Sequence, residues 1–245
     1  MIILEKFIQG PYSCPYLMER EATMEYELAG KLSPFEYEAR MNKGWRKFGI
    51  AMFHPICTSC QECRPIRVPV NRFTPRRNQM RTLAANRDLE FRLGTPVVDD
   101  QRLALFDQYH RTQGIRKDWP VHRTDEESYF TSFVLNLVPS LEVSVWQGAR
   151  LRGVILLDIT PRVVSAVYHY YDFDEPRRSL GTLLILATIE YARERQREWV
   201  YLGYYVTGSR SMEYKARFQP CQIMQPDGRW MDHKEAVSPG IPAHP

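Results

Sequence analysis

With 245 residues, 44% of them hydrophobic and 25% charged, the chain can bury a sizeable core and reads as a globular protein of one large or two small domains. No apolar run approaches the roughly 18 residues of a membrane span, and the opening Met1 to Phe7 mixes charge into a short apolar stretch without a cleavage signature, so the cytoplasm is expected. The net charge of +4 is modest but unevenly spread: between Glu62 and Asp88 there is no acid, and the cations there (Arg64, Arg67, Arg72, Arg76, Arg77, Arg81 and Arg87) are all arginine.

The first block, residues 1–72, is expected to be loop-rich and to carry most of the cysteines. Within it a helix is predicted from Pro34 to about Lys43, because Ser33 and Glu36 form a capping box with Pro at the first helical position. Five cysteines, an odd number in a chain without a secretion signal, argue against a disulfide framework. Cys57, Cys60 and Cys63 follow one another at two-residue separations, a spacing that lets one turn of backbone aim several thiolates at one centre. A zinc ion or an iron–sulfur cluster there would need a fourth ligand, for which Cys14 or His54 is the candidate; reduced thiols without metal are the alternative. Cys221 stands apart and reads as a small buried hydrophobe.

The segment from Arg64 to Phe73 alternates and is bounded by prolines, which predicts an edge strand. A helix then runs from Thr74-Pro75 to about Asn86 and carries part of the arginine run, whose planar, weakly hydrated guanidiniums suit phosphate oxygens; a solvated basic helix face is the plainer reading. A short strand at Glu90 to Leu93 and a helix from about Asp100 to Gln113, with Leu103, Phe106 and Tyr109 at helical spacing, follow. Three strands come next, separated by the turn-like breaks Gln147 to Arg150 and Thr160 to Arg162, the pattern of antiparallel hairpins. The third delivers Tyr168, Tyr170, Tyr171, Asp172 and Asp174 to the mouth of a turn containing Gly181. A helix opens there and runs from Arg178 to about Gln196, with Leu180, Leu184, Ala187 and Tyr191 on one face. Unpaired N–H donors at a helix start favour an anion, so this turn is read as a site for a phosphate-bearing substrate. A Tyr-rich strand from Trp199, a helix from Ser209 to about Phe218, a terminal strand and a tail at 233–245, expected to be disordered, complete the chain.

This order of elements resembles the GNAT acyltransferase fold, an α+β architecture with a mixed, largely antiparallel sheet and flanking helices. Here it would occupy residues 73–232, behind the Cys-bearing module of 1–72. In that fold the strand before the main helix splays from its neighbour, and the N–H groups of Arg178, Ser179, Gly181 and Thr182 would face the phosphate.

The blocks Cys14-Pro-Tyr-Leu17, Gly44 to Gly49, His54 to Val70, Phe73 to Gln79, Asn86 to Leu89, Ala166 to Thr182, Tyr201 to Val206 and Met212 to Pro220 occur in the order found in aminoacyl-tRNA-protein transferases. The chain resembles most the short bacterial aspartate/glutamate leucyltransferase branch, over nearly all of residues 10–230. The resemblance implies transfer of an amino acid, leucine above all, from aminoacyl-tRNA to the N-terminal Asp or Glu of a protein, marking it for degradation by the N-degron rule. It implies no required cofactor and no membrane partner. Arg178, Ser179, Gly181 and Thr182 would then hold the 3'-terminal phosphate and ribose, and Arg76, Arg77 and Arg81 would track the acceptor stem. Asp172 or Asp174 would receive or orient the ammonium proton, with Tyr170 or Tyr171 lining the pocket. Arg20, Arg46, Lys215 and Arg217 are candidates to pair with the acidic side chain of the acceptor. Departures from the family pattern are Leu17 at the second position of a Cys pair, Met18 and Phe173 for Pro, Phe53-His54 for Tyr-Arg, Ser209 for Cys and Ser211 for Lys; they leave the donor amino acid open. An arginyl donor, a GNAT acetyltransferase using acetyl-CoA, and a non-catalytic metal-bearing RNA-binding module are the competing readings.

Overall fold

The computed structural model describes residues 1–117 and 123–237. Its N-terminal part is strand rather than loop. β1 (Ile2–Ser13) and β2 (Glu21–Lys31) form a long hairpin, α1 (Pro34–Met41) crosses behind it, and β3 (Arg46–Phe48) and β4 (Ala51–Pro55) complete an antiparallel sheet in the order β1-β2-β4-β3. The sequence concealed this hairpin because β1 is exposed at almost every position and its register to β2 is irregular, which blurs the period-two signal. The predicted cap of α1 is present: Ser33 Oγ accepts from Glu36 N at 3.3 Å, and the Glu36 carboxylate accepts from Ser33 N at 2.8 Å.

The second sheet holds eight strands in the order β12-β11-β5-β10-β9-β8-β7-β6. In chain order the remaining elements are β5 (Arg64–Pro69), α2 (Arg77–Ala85), β6 (Glu90–Gly94), α3 (Asp100–Lys117), α4 (Glu126–Tyr129), β7 (Ser140–Gln147), β8 (Arg150–Ile159), β9 (Val163–Tyr171), α5 (Leu180–Glu194), β10 (Trp199–Tyr205), α6 (Arg210–Glu213), β11 (Gln222–Met224), β12 (Trp230–Asp232) and α7 (His233–Val237). Every neighbouring pair is antiparallel except β9 and β10, which α5 connects as a crossover. β5 is not the edge strand its prolines predicted: it lies between β10 and β11. The rungs to β11 fall on Ile66 and Arg67 and miss both Pro65 and Pro69, and on the other side Pro65 sits beside an irregularity between Tyr201 and Tyr204, so the missing donors break few ladder bonds. The change from one sheet to the other thus falls between residues 55 and 64, ahead of the expected boundary at 72.

Strand alternation divides the core. Ile155, Leu157, Val143 and Val145 pack against Leu180, Leu184 and Ile189 of α5 on one face, while Val154, Leu156, Trp146 and Tyr170 pack against Leu105 and Phe106 of α3 and Tyr129 on the other. The small sheet and α1 close over the β9–β10 end through Tyr37, Met41, Trp45, Val163 and Tyr201. The expected disordered tail is corrected at its start: residues 233–237 form the short helix α7, and His233 N donates to Cys221 O at 2.9 Å. Residues 238–245 lie outside the described residues.

The second core contains a buried hydroxyl pair, Tyr129 OH to Tyr170 OH at 2.6 Å. Removing either hydroxyl strands the other away from water. Tyr129→Phe or Tyr170→Phe should each cost about 1–3 kcal/mol in urea unfolding, and the double Phe variant should cost less than the sum of the two.

Candidate active site

β10 pairs with β9 for only three rungs, Trp199 with Val163, Val200 with Val164 and Tyr201 with Ser165. Beyond Ser165, β9 continues to Tyr171 and β10 to Tyr205 as separate strands, so a wedge opens between them. The wedge is the floor of a cleft of about 800 Å³ that reaches the start of α5 and is roofed by Phe48 and Phe53 of the small sheet. Such a gap between parallel strands exposes backbone groups that a continuous sheet would consume.

The turn into α5 follows from Ser179, which adopts the left-handed conformation with φ 51° and makes no side-chain cap. The carbonyl of Ser179 receives Thr182 N at 2.9 Å and Leu183 N at 3.1 Å, which leaves the N–H groups of Leu180 and Gly181 at the positive end of the helix without an intrahelical acceptor. Ser179, Gly181 and Thr182 all line the cleft. Gly181 is required by a ring: a Cβ there would lie 2.8 Å from Tyr171 Cε1 and 3.0 Å from its hydroxyl.

Arg178 does not point its guanidinium at this cradle. It donates to Asp88 at 2.8 and 3.0 Å, to Glu175 at 2.7 Å and to Ala85 O at 3.2 Å, while Asn86 Nδ2 donates to Arg178 O at 2.8 Å. These bonds tie the end of α2 to the start of α5, and they hold Asp88 below the usual carboxylate range. The exposed arginines Arg77 and Arg81 ride on α2 and Arg76 caps its start, so all three sit with the element braced against the cradle; among the described residues none has an ion-pair partner.

The two aspartates are also engaged. Asp172 is buried, its Oδ2 2.5 Å from Arg150 Nη2 and 3.3 Å from Arg152 Nη1, and its Oδ1 takes Asp174 N at 2.7 Å. Asp174 is exposed and bound to Arg150 at 2.6 Å, which lowers its pKa. Asp172 lines the cleft but carries its charge into this network, so it orders the turn rather than offering a free basic oxygen. Tyr170, placed in the pocket by the sequence reading, faces the other side of the sheet, where it meets Tyr129 and Phe106, because its neighbour Tyr171 takes the cleft face.

Tyr171, named for the pocket by the sequence, lines the cleft as part of an aromatic wall whose other members the sequence did not place there. Its ring lies 5.2 Å from Tyr109, 4.9 Å from Phe173 and 5.8 Å from His169, and Phe173 stacks on Tyr109 at 5.5 Å under the Arg116 guanidinium at 4.3 Å. Tyr168 OH meets His110 Nε2 at 3.0 Å. Tyr109 and His110 come from α3, far away in sequence; the spacing put Tyr109 on the apolar face of the 100–113 helix, but nothing local showed that this face meets the end of β9. Burial raises the phenol pKa of Tyr109, Tyr168 and Tyr214 well above the ordinary value and that of Tyr16 to about 12, so these groups enter the cleft as neutral donors.

Of the four candidate cations for an acidic side chain, Arg46, Lys215 and Arg217 line this cleft. Arg20 does not: it donates to Cys60 Sγ at 3.0 Å beside a second cavity of about 640 Å³, lined by Cys14, Cys57, Cys60 and Cys63. Fold and spacing thus converge the four thiols, and burial followed by the nearby Cys14, Cys57 and Cys60 pushes the Cys63 thiol up to about 12. Cys57 Sγ is meanwhile held between Thr23 N at 3.4 Å and Thr23 O at 3.7 Å. Among the described residues no three His, Cys, Asp or Glu side chains are arranged to hold a metal ion. Cys221 is buried, as its isolation predicted.

Comparison with known proteins covers the chain in two matches: residues 12–81 fit the family model for the N terminus of arginine-tRNA-protein transferase, and residues 101–225 fit the model for its C terminus. The chain is 36% identical over 217 residues to the aspartate/glutamate leucyltransferase of Shewanella sp. (strain MR-4), covering 89% of this chain and 90% of that one. It is 30% identical over 223 residues to the protein of the same name from Helicobacter hepaticus, covering 91% and 92%. Among solved structures it is similar to FemX, with a TM-score of 0.52 over 83% of this chain and 82% of that chain at 10% identity. That likeness speaks to the fold alone, the expected α+β arrangement of a mixed, largely antiparallel sheet with flanking helices.

Proposed function

This chain belongs to the arginine-tRNA-protein transferase family, and from that premise we propose that it transfers leucine from leucyl-tRNA to the N-terminal Asp or Glu of acceptor proteins, creating a degradation signal in the cytoplasm. The observation that carries the reading is the wedge between β9 and β10, which opens a substrate-sized cleft onto the two N–H groups at the start of α5 that have no intrahelical acceptor, with the exposed arginines of α2 on the element braced against that turn. The aminoacyl ester is already activated. The acceptor's α-amine, with a pKa of about 7.7–8.0, is partly neutral near physiological pH and attacks the ester carbonyl. A C–N bond forms, the C–O bond to the ribose breaks, and the amine proton leaves to the ribose oxygen or solvent. Holding amine and carbonyl in attack geometry supplies roughly 7–11 kcal/mol of the acceleration, so neither a cofactor nor a covalent enzyme intermediate is needed. The chain's own part is to seat the RNA end at α5, to exclude water with the aromatic wall, and to present neutral phenols as donors to the developing oxyanion.

Leucine is favoured over arginine by the cleft's chemistry. Among the described residues its only acids are Asp172 and Glu175; Asp172 is held by Arg150 and Arg152, and Glu175 by Arg152 and Arg178. A donor guanidinium would find no available carboxylate, whereas Phe48, Phe53, Ile185 and Met212 offer an apolar lining. An acetyl-CoA-dependent reading would leave the basic face of α2 without a partner. The test supplies purified protein with tRNAs charged with labelled Leu, Arg or Phe and peptides beginning Asp, Glu, Lys or Ala. Label moving from leucyl-tRNA to Asp and Glu peptides alone is the expected result; transfer from arginyl-tRNA at equal efficiency overturns the donor assignment.

A further inference from the structure

We infer that Arg46 and Lys215 form the subsite that binds the acceptor's N-terminal Asp or Glu carboxylate, an assignment that rests on the transferase reading and names its specificity residues. Arg46, on β3, is only 6% exposed, and among the described residues no carboxylate lies within ion-pair distance of it. Its guanidinium donates to Trp45 O at 2.6 Å, to Met41 O at 3.3 Å and to Gly203 O at 3.4 Å, and it lies over the rings of Tyr201 and Tyr204 at 5.4 and 5.3 Å. Nε remains buried without any partner. A charge held this way is stabilised by dipoles and π faces yet lacks a counter-ion, and it gains most from an anion delivered by a ligand.

Lys215, in the turn Tyr214–Arg217, reaches the same point of β10. Gly203 stands with φ +80° at the irregularity in β10, and a Cβ there would lie 3.6 Å from Lys215 Nζ, which itself donates to Tyr204 O at 2.7 Å. Two cations carried by separate elements therefore converge on one glycine of the splayed strand, and both line the cleft. The pair lines the same cleft as the start of α5, but it is carried by β3 and by the turn Tyr214–Arg217, not by α2 or α5. Its surroundings, Tyr201, Tyr204 and Met212, suit a small carboxylate better than a hydrated polyphosphate.

The test compares peptides beginning Asp, Asn, Glu and Gln in transfer from leucyl-tRNA by the full-length protein. Arg46→Met should lower kcat/KM for the Asp and Glu peptides at least about 30-fold, chiefly through KM, and shrink the Asp-over-Asn preference by the same factor. Binding of charged tRNA should not change. Lys215→Gln, which keeps a donor to Tyr204 O but removes the charge, should act in the same direction, and it decides the matter alone if Arg46→Met melts early. An Asp-over-Asn preference that persists in Lys215→Gln and in any folded Arg46→Met overturns the assignment. Failure of the wild-type protein to pass leucine to any peptide would remove the transferase reading instead.

Discussion

Lys47→Met should destabilise the protein by about 3–5 kcal/mol in urea unfolding, the largest loss expected from any single substitution described above. Lys47 lies on β3 of the small sheet and Asp158 on β8 of the large one; their side chains are 1% and 0% exposed, and Lys47 Nζ lies 3.1 Å from Oδ1 and 3.0 Å from Oδ2. Asn136 and Ser140 also donate to Oδ1, at 3.0 and 3.3 Å, and the Tyr37 hydroxyl lies against the same carboxylate, but among the described residues Lys47 is the one cation paired with it. Removing the ammonium leaves a carboxylate that must stay charged without a counter-ion or take up a proton. The double variant Lys47→Met with Asp158→Asn should recover at least half of the loss, because a neutral amide can remain in the same hydrogen bonds. Equal destabilisation of the single and double variants would mean that packing of the lysine stem, and not charge, holds the sheets together.

Replacing Arg76, Arg77 and Arg81 together by Ala should weaken charged-tRNA binding about 100–500-fold near 0.1 M salt and flatten the dependence of log K on log salt by about 2–3. The residues are exposed on α2 and at its cap, outside the cores, so the melting temperature should move little. The brace from Arg178 to Asp88, Glu175 and Ala85 fixes how that basic face meets the start of α5. Arg178→Ala should therefore impair transfer by loosening the cradle, with a lower melting temperature, whereas the triple variant loses affinity at unchanged stability. An unaltered salt slope in the triple variant would place the RNA elsewhere on the surface.

Local signals carried much of the architecture. The Ser33–Glu36 capping box, the meander β7-β8-β9, the apolar face of α5 and the turn at Ser179 are all short-range features, and each follows from spacing and propensity within a few residues. The hairpin of β1 and β2 did not, since an exposed strand carries no alternation to read. The placing of β5 inside the large sheet was equally hidden: prolines mark missing donors, but only the register of the neighbouring strands shows that the gaps cost few bonds.

At the site the division follows range in the same way. Sequence by itself determined the family, the basic run free of acids, the cluster of thiols and the candidate turn at the head of α5, because each is written in residues close along the chain. Tertiary structure alone decided what those residues touch. It turned Tyr170 to the far core by strand parity, consumed Arg178 and Asp172 in ion pairs with Asp88 and Arg150, and set Arg20 beside Cys60. It also brought Tyr109 of α3 against Tyr171 and Arg46 of β3 against Gly203 of β10. A side chain's charge and shape are local properties, but its counter-ion and its exposure are settled by elements that folding brings from elsewhere in the chain.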